Sequence, residues 1–106
     1  MKETTASCNG NGHSPTRTTP PSFRLGRTLA TPGALRVLKP EEILQGLARH
    51  ARCDWGEVDD EDKSANDFAV TRRLRILSAY RASGVKFWII TEADRSATTV
   101  LLPDEY

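Results

Sequence analysis

The fold is decided by residues 86–106, KFWIITEADRSATTVLLPDEY. With Val85 added, Val85, Phe87, Ile89 and Thr91 fall on one face of a strand, and Lys86, Trp88, Ile90 and Glu92 fall on the other. Ala97–Leu102 returns as a second β-branched run after a charged turn, Asp94-Arg95-Ser96. Period-two alternation rich in β-branched and aromatic residues is strand chemistry, and a short polar turn makes the two runs antiparallel. Both faces of the central strand are apolar, so each needs cover. One face is expected to carry helices. On the other, Trp88 and Ile90 need cover from the N-terminal tail, the first strand or a partner.

Working backwards, LRILSAYRA (residues 74–82) alternates in the same way and joins the meander through Ser83-Gly84. Upstream lie three helical patterns. The clearest starts at Pro40, with Glu41 and Glu42 in its positive first turn and Arg49 and Arg52 at its other end. Ile43, Leu44, Leu47, Ala48 and Ala51 follow helical spacing and form its expected buried face. Gly46 is a mild cost within it. A second helix is predicted near residues 60–70, with Asp59 or Asp60 as N-cap. A short one is predicted near 32–38, with Thr31 as N-cap and Pro32 in the first position. Before them, FRLGRTL (23–29) reads as a short strand, weakened by Gly26 and suited to a sheet edge. The order β-α-α-α-β-β-β predicts an α+β domain, with the helices packed on a small antiparallel sheet.

Composition sets the outer limits. Residues 1–22 hold almost nothing that can be buried. Their ordering would cost roughly 1–2 kcal/mol per residue of backbone entropy, so they read as a disordered tail before one domain at 23–106. This tail accounts for the low apolar fraction of 38% in the whole chain. A formal net charge of +1 gives no global field towards nucleic acid or a membrane. No apolar run approaches a membrane span or a signal peptide, which points to the cytoplasm. Cys8 and His13 supply only two potential ligands, whereas a structural zinc site wants four. The acidic run at 57–62 lacks the glycine and terminal glutamate of a calcium hand. No metal or cofactor is implied.

No phosphate loop, nucleophile elbow or zincin motif is present. The candidates are therefore scattered polar residues. His50 is either a neutral histidine packed at a helix end or a general acid–base. Arg95 and Thr98, with Thr91, either belong to turn and strand structure or form an anion site, since a guanidinium fork suits phosphate. In the structural version, Asp94 and Ser96 bond local backbone, and Arg95 reaches a carboxylate or solvent. Arg49 suits a helix C-terminus or an anion. Tyr80 reads as a half-buried strand aromatic, Arg75 as a residue of an exposed edge or groove, and Trp88 as core or contact surface. Trp55 is expected to pack over a helix end, and Asp54 to orient His50 or pair with a strand arginine.

Two stretches together, LARHARCDWGEVDDEDKSANDFAV and RILSAYRASGVKFWIITEADRSATTVLLPDEY, resemble a family of small plasmid- and prophage-associated bacterial proteins. The shared features are Arg49-His50, Asp54-Trp55-Gly56, Asn66, Leu77–Tyr80 and Trp88–Ser96, within residues 43–106. The resemblance implies a mobile-element accessory protein and brings no catalytic role. The order of elements also resembles the barnase/RelE-type ribonuclease fold. That likeness implies RNA held on the sheet, with His50, Arg75, Arg95 and Thr98 in the active positions. Two functions are thus expected: a non-catalytic module binding protein or nucleic acid, or a small metal-independent ribonuclease.

Overall fold

The computed structural model describes residues 22–106. Of the expected tail only Ser22 is described; residues 1–21, and with them Cys8 and His13, lie outside the described residues. The elements are β1 (Arg27–Ala30), α1 (Pro32–Val37), α2 (Pro40–Ala51), α3 (Asp60–Arg72), β2 (Ile76–Ala82), β3 (Val85–Thr91) and β4 (Ala97–Leu101), followed by a 3-10 turn at Pro103–Glu105. This is the expected α+β order.

Local chemistry sets the helix starts. The Thr31 hydroxyl accepts from the Ala34 N–H at 3.2 Å, with Pro32 in the first turn of α1. In α2 the Glu42 carboxylate reaches back to the Lys39 N–H at 2.8 Å. The N-cap of α3 is Asp59, whose carboxylate accepts from the Asp62 N–H at 2.8 Å. These contacts satisfy donors that a helix start leaves without intrahelical partners.

The sheet runs β1-β4-β3-β2. Strands β2, β3 and β4 form the predicted antiparallel meander, with Ile89 opposite Ser78 on one side and Val100 on the other. The first strand is an edge strand, but it runs parallel to β4, pairing Arg27 with Ala97 and Ala30 with Val100. The sheet is therefore mixed rather than wholly antiparallel. Three helices carry the chain from β1 to the far edge, so the meander returns to β1 with its last strand in the same direction. The strand also starts later than the alternation from Phe23 suggests.

Helices α1 and α2 cover one face. Ala34, Leu38, Tyr80, Phe87, Ile89 and Val100 form the core there, with Ile43 and Leu47 packed against it. A second cluster, Phe23, Cys53, Trp55, Ala69 and Ile76, fills the end nearer α3. The buried stripe of α2 is rotated from the predicted one. Leu44 is 65% exposed, Ala48 is also exposed, and Gly46 and His50 face the sheet. Gly46 is what allows the close approach: a Cβ there would lie 2.9 Å from the Phe87 ring and 3.2 Å from Ile89 Cδ1.

On the opposite face Ile90 is buried and Trp88 is half-buried. Among the described residues their cover comes from the C-terminal turn. The C-terminal turn lies over β3, and the Tyr106 ring meets Trp88 edge-on at 5.7 Å. The Arg75 guanidinium donates to the Tyr106 hydroxyl at 2.9 Å and to Glu92 at 3.3 Å. Leu29 of β1 lies on this face beside Thr99 and stays 44% exposed.

The outer edge of β2 is bonded at Leu77 and Ala79. The Asn66 side chain donates to the Leu77 carbonyl at 2.8 Å and accepts from its N–H at 3.2 Å. Ala79 donates to the Trp55 carbonyl and accepts from the Glu57 N–H. Gly56 fits between them because it has no Cβ: at φ 76° a Cβ would stand 2.0 Å from the Ala79 carbonyl oxygen.

Candidate functional site: a sealed polar cluster

His50, Thr98 and Arg95 come from α2, β4 and the turn before β4, and the fold brings them into one neighbourhood. His50, Thr98, Ser78 and Thr91 are fully buried, and Arg95 is 7% exposed. Ser78, Thr91 and Thr98 occupy inward positions on three adjacent strands, and His50 projects onto them from α2. Nδ1 of His50 lies 2.5 Å from the Ser78 hydroxyl, and Nε2 lies 2.8 Å from that of Thr91. Thr91 in turn is 2.7 Å from the Thr98 hydroxyl, which is 2.7 Å from the Leu25 carbonyl.

The direction of this chain is fixed at its far end. A carbonyl oxygen only accepts, so the Thr98 hydroxyl donates to Leu25. With its one hydrogen committed, Thr98 accepts from Thr91, and Thr91 must then accept from His50. The imidazole is therefore protonated on Nε2, and its Nδ1 lone pair accepts from Ser78. The ring is neutral in this arrangement. Burial, reinforced by the Arg95 charge, pushes its pKa down from 6.5 to about 3.

Aromatic rings close the cluster. Phe23 meets His50 edge-on at 5.3 Å and lies 6.1 Å from Trp55, whose ring also meets His50 edge-on at 5.8 Å. Trp55 does pack at the end of α2, and its indole N–H donates to Asp67 at 3.0 Å. The segment before β1 is held down by the Ser22 N–H, which donates to the Ala51 carbonyl at 2.9 Å, and by the Thr98 bond to Leu25.

Arg95 reaches neither a carboxylate nor solvent. Its Nη1 donates to the carbonyls of Leu74, Glu92 and Ala93 at 2.8, 3.1 and 3.2 Å, and its Nη2 donates to that of Ala69 at 2.8 Å. Ala69 lies in the last turn of α3 and Leu74 just beyond it, where the helix dipole favours a cation. The guanidinium also lies 5.6 Å from the Phe23 ring centroid. Burial lowers its pKa, with Arg73 adding to the effect. The turn around it uses the predicted local bond, Ser96 N–H to Asp94 at 3.0 Å.

The remaining candidates lie elsewhere. Arg49 forms a two-pronged pair with Asp54, at 2.8 and 3.2 Å, and stacks 4.7 Å from the Tyr80 ring centroid. The hydrogen bond holds the Asp54 carboxyl below its usual range and raises Arg49. Asp54 thus pairs with a helix arginine, and not with His50 or a strand arginine. Tyr80 is buried rather than half-buried, and its hydroxyl donates to the Asp54 carbonyl at 2.6 Å. Arg75 and Trp88 belong to the opposite face of the sheet.

Sequence reasoning missed Ser78 and the lid residue Phe23. The available signal for Ser78 was a hydroxyl at an inward position in an apolar strand. Among the described residues no group of three or more His, Cys, Asp or Glu side chains converges as a metal site, and no described helix is long and apolar enough to cross a membrane.

What fold and cluster define is a small α+β domain with a closed, internally bonded polar centre. No family model, curated protein or solved structure matches the chain.

Proposed function

We propose that this chain is a non-catalytic binding module with a protein partner, acting in the cytoplasm as an accessory of a mobile element. The carrying observation is the state of His50: it is fully buried, and both ring nitrogens are held by hydroxyls of its own chain. A general base needs a proton to take from substrate and a pKa near the working pH; a sealed imidazole titrating near 3 offers neither. Arg95 is likewise engaged by four carbonyls. The near-zero net charge favours protein over nucleic acid as the partner class. The resemblance in residues 43–106 supports the mobile-element setting.

The ribonuclease reading keeps one specific support: His50, Thr98 and Arg95 do gather beneath one segment, Phe23–Leu25. It requires the Ser22–Leu25 segment to leave. The test is incubation of the purified full chain with single-stranded RNA in chelator. No cleavage is expected. Cleavage that disappears in folded His50→Gln and Arg95→Lys variants would replace the binding module with the nuclease.

A further inference from the structure

The two edges of the sheet are not equivalent. On β2 the outward groups of Leu77 and Ala79 are all bonded. On β1 they are not. The Arg27 N–H donates to the Ser96 carbonyl, and the Thr31 N–H donates to that of Val100. In a parallel ladder this sets the backbone groups of Arg27, Leu29 and Thr31 towards β4, and those of Thr28 and Ala30 away from it. Thr28 and Ala30 make no hydrogen bond outward to any described residue. The side chains of Arg27, Thr28 and Leu29 are all exposed.

We propose that β1 pairs with β1 of a second copy of this chain, antiparallel about a two-fold axis at Leu29, joining the two four-stranded sheets into one. This register sets Thr28 opposite Ala30 of the partner subunit, and Ala30 opposite Thr28 of the partner subunit. Each opposed pair exchanges two N–H···O bonds, so every outward group of both strands is satisfied. The two Leu29 side chains meet at the axis with Cβ atoms about 4.5–5.5 Å apart, and apolar surface that is 44% exposed in one copy is covered.

Charge selects the same register. Arg27 is exposed and makes no ion pair among the described residues. Across the axis it lies opposite Thr31 of the partner subunit. Within one chain the Thr31 hydroxyl donates to the Glu105 carboxylate at 2.5 Å. Arg27, Leu29 and Thr31 share the sheet face on which the C-terminal turn lies. Each Arg27 therefore meets a carboxylate, twice by symmetry, and no like charges face each other. Because Leu77 and Ala79 on each β2 edge already hold backbone partners within their own chain, the assembly closes at two copies instead of growing into a fibre.

Sedimentation equilibrium of the full chain tests this. The expected mass is twice 11.7 kDa. Thr28→Pro removes an outward N–H while leaving the bonds to β4, and it should give a monomer with unchanged circular dichroism. Arg27→Glu should weaken the dimer about tenfold or more, and adding Glu105→Arg should restore it. In a Cys8→Ser background, Leu29→Cys should oxidise to a covalent dimer, since directly opposed non-hydrogen-bonded residues sit about 4.5 Å apart at Cα. Thr28→Cys should not, because its two copies lie roughly 8 Å apart, two positions out of register. A monomeric wild type at the highest soluble concentration overturns the proposal. So does a dimer that survives Thr28→Pro, or equal cross-linking at positions 28 and 29.

Discussion

Acidification from pH 7 to pH 5 should cost this domain stability through His50 alone. In the folded state the imidazole is held neutral, with its pKa pushed from 6.5 to about 3. In the unfolded chain it returns to its ordinary value. Between about pH 6.5 and 3 the unfolded state therefore binds a proton that the folded state refuses, and stability falls as pH falls. The contribution is fully present above pH 6.5. From pH 7 to pH 5 the linkage integral gives about 2 kcal/mol, and over the whole window about 4–5 kcal/mol. The upper part of the window is the cleaner one, because the carboxyls held low by their partners, Glu42, Asp54, Asp94 and Glu105, titrate below it. The assay is urea unfolding at pH 7 and pH 5 for wild type and His50→Leu. The variant starts less stable, since Ser78 and Thr91 lose their partner in a buried site, but its loss between the two pH values should be smaller by about 2 kcal/mol. His13 is present in both proteins and cancels. Equal losses in both, or a ring resonance of His50 that titrates near 6.5 in the folded protein, would refute the reasoning.

Gly46→Ala should destabilise the domain by about 1–3 kcal/mol in chemical denaturation despite alanine's better helix propensity, because the new methyl meets the Phe87 ring and Ile89. Arg95→Met should cost about 2–4 kcal/mol by the same measurement: it removes the guanidinium donors from the carbonyls of Ala69, Leu74, Glu92 and Ala93, of which those of Ala69 and Glu92 keep a backbone donor. Hydrogen exchange in that variant should quicken first at the C-terminal end of α3. Tyr106→Ala should cost about 0.5–1.5 kcal/mol and shift the tryptophan emission to the red, since Trp88 loses its aromatic neighbour. An unshifted spectrum would mean that the C-terminal turn does not cover that face.

Elements whose cause is local were legible in the sequence. Thr31 and Asp59 cap helices because their side chains bond backbone three residues on, and the Asp94 turn closes two residues on. The meander follows from alternation. Features whose partners lie far along the chain were not legible. Periodicity placed Leu44 and Ala48 in the core of α2, yet the helix is rolled so that Gly46 and His50 face the sheet. A polar ring becomes a good core residue only when hydroxyls from strands 28 and 41 positions away meet both its nitrogens. The direction of β1 depends on where three helices deliver the chain, which no residue in β1 encodes. Arg95 was expected to seek a carboxylate because residue types advertise side-chain partners; its actual partners are backbone carbonyls, which every residue has.

The pairing of β1 with β4 also dictates an order of events during synthesis. Thr31 waits for Glu105, 74 positions later. At 5–20 residues per second the ribosome needs about 4–15 s to supply it. Until then the α2 helix, the hairpin of β2 and β3 and their shared core can assemble, while Arg27–Ala30 has no ladder to join. Docking of the first strand is thus a late step with a long loop to close. For those seconds Arg27–Ala30 stays unpaired along both of its edges, and that is when a chaperone has most to shield.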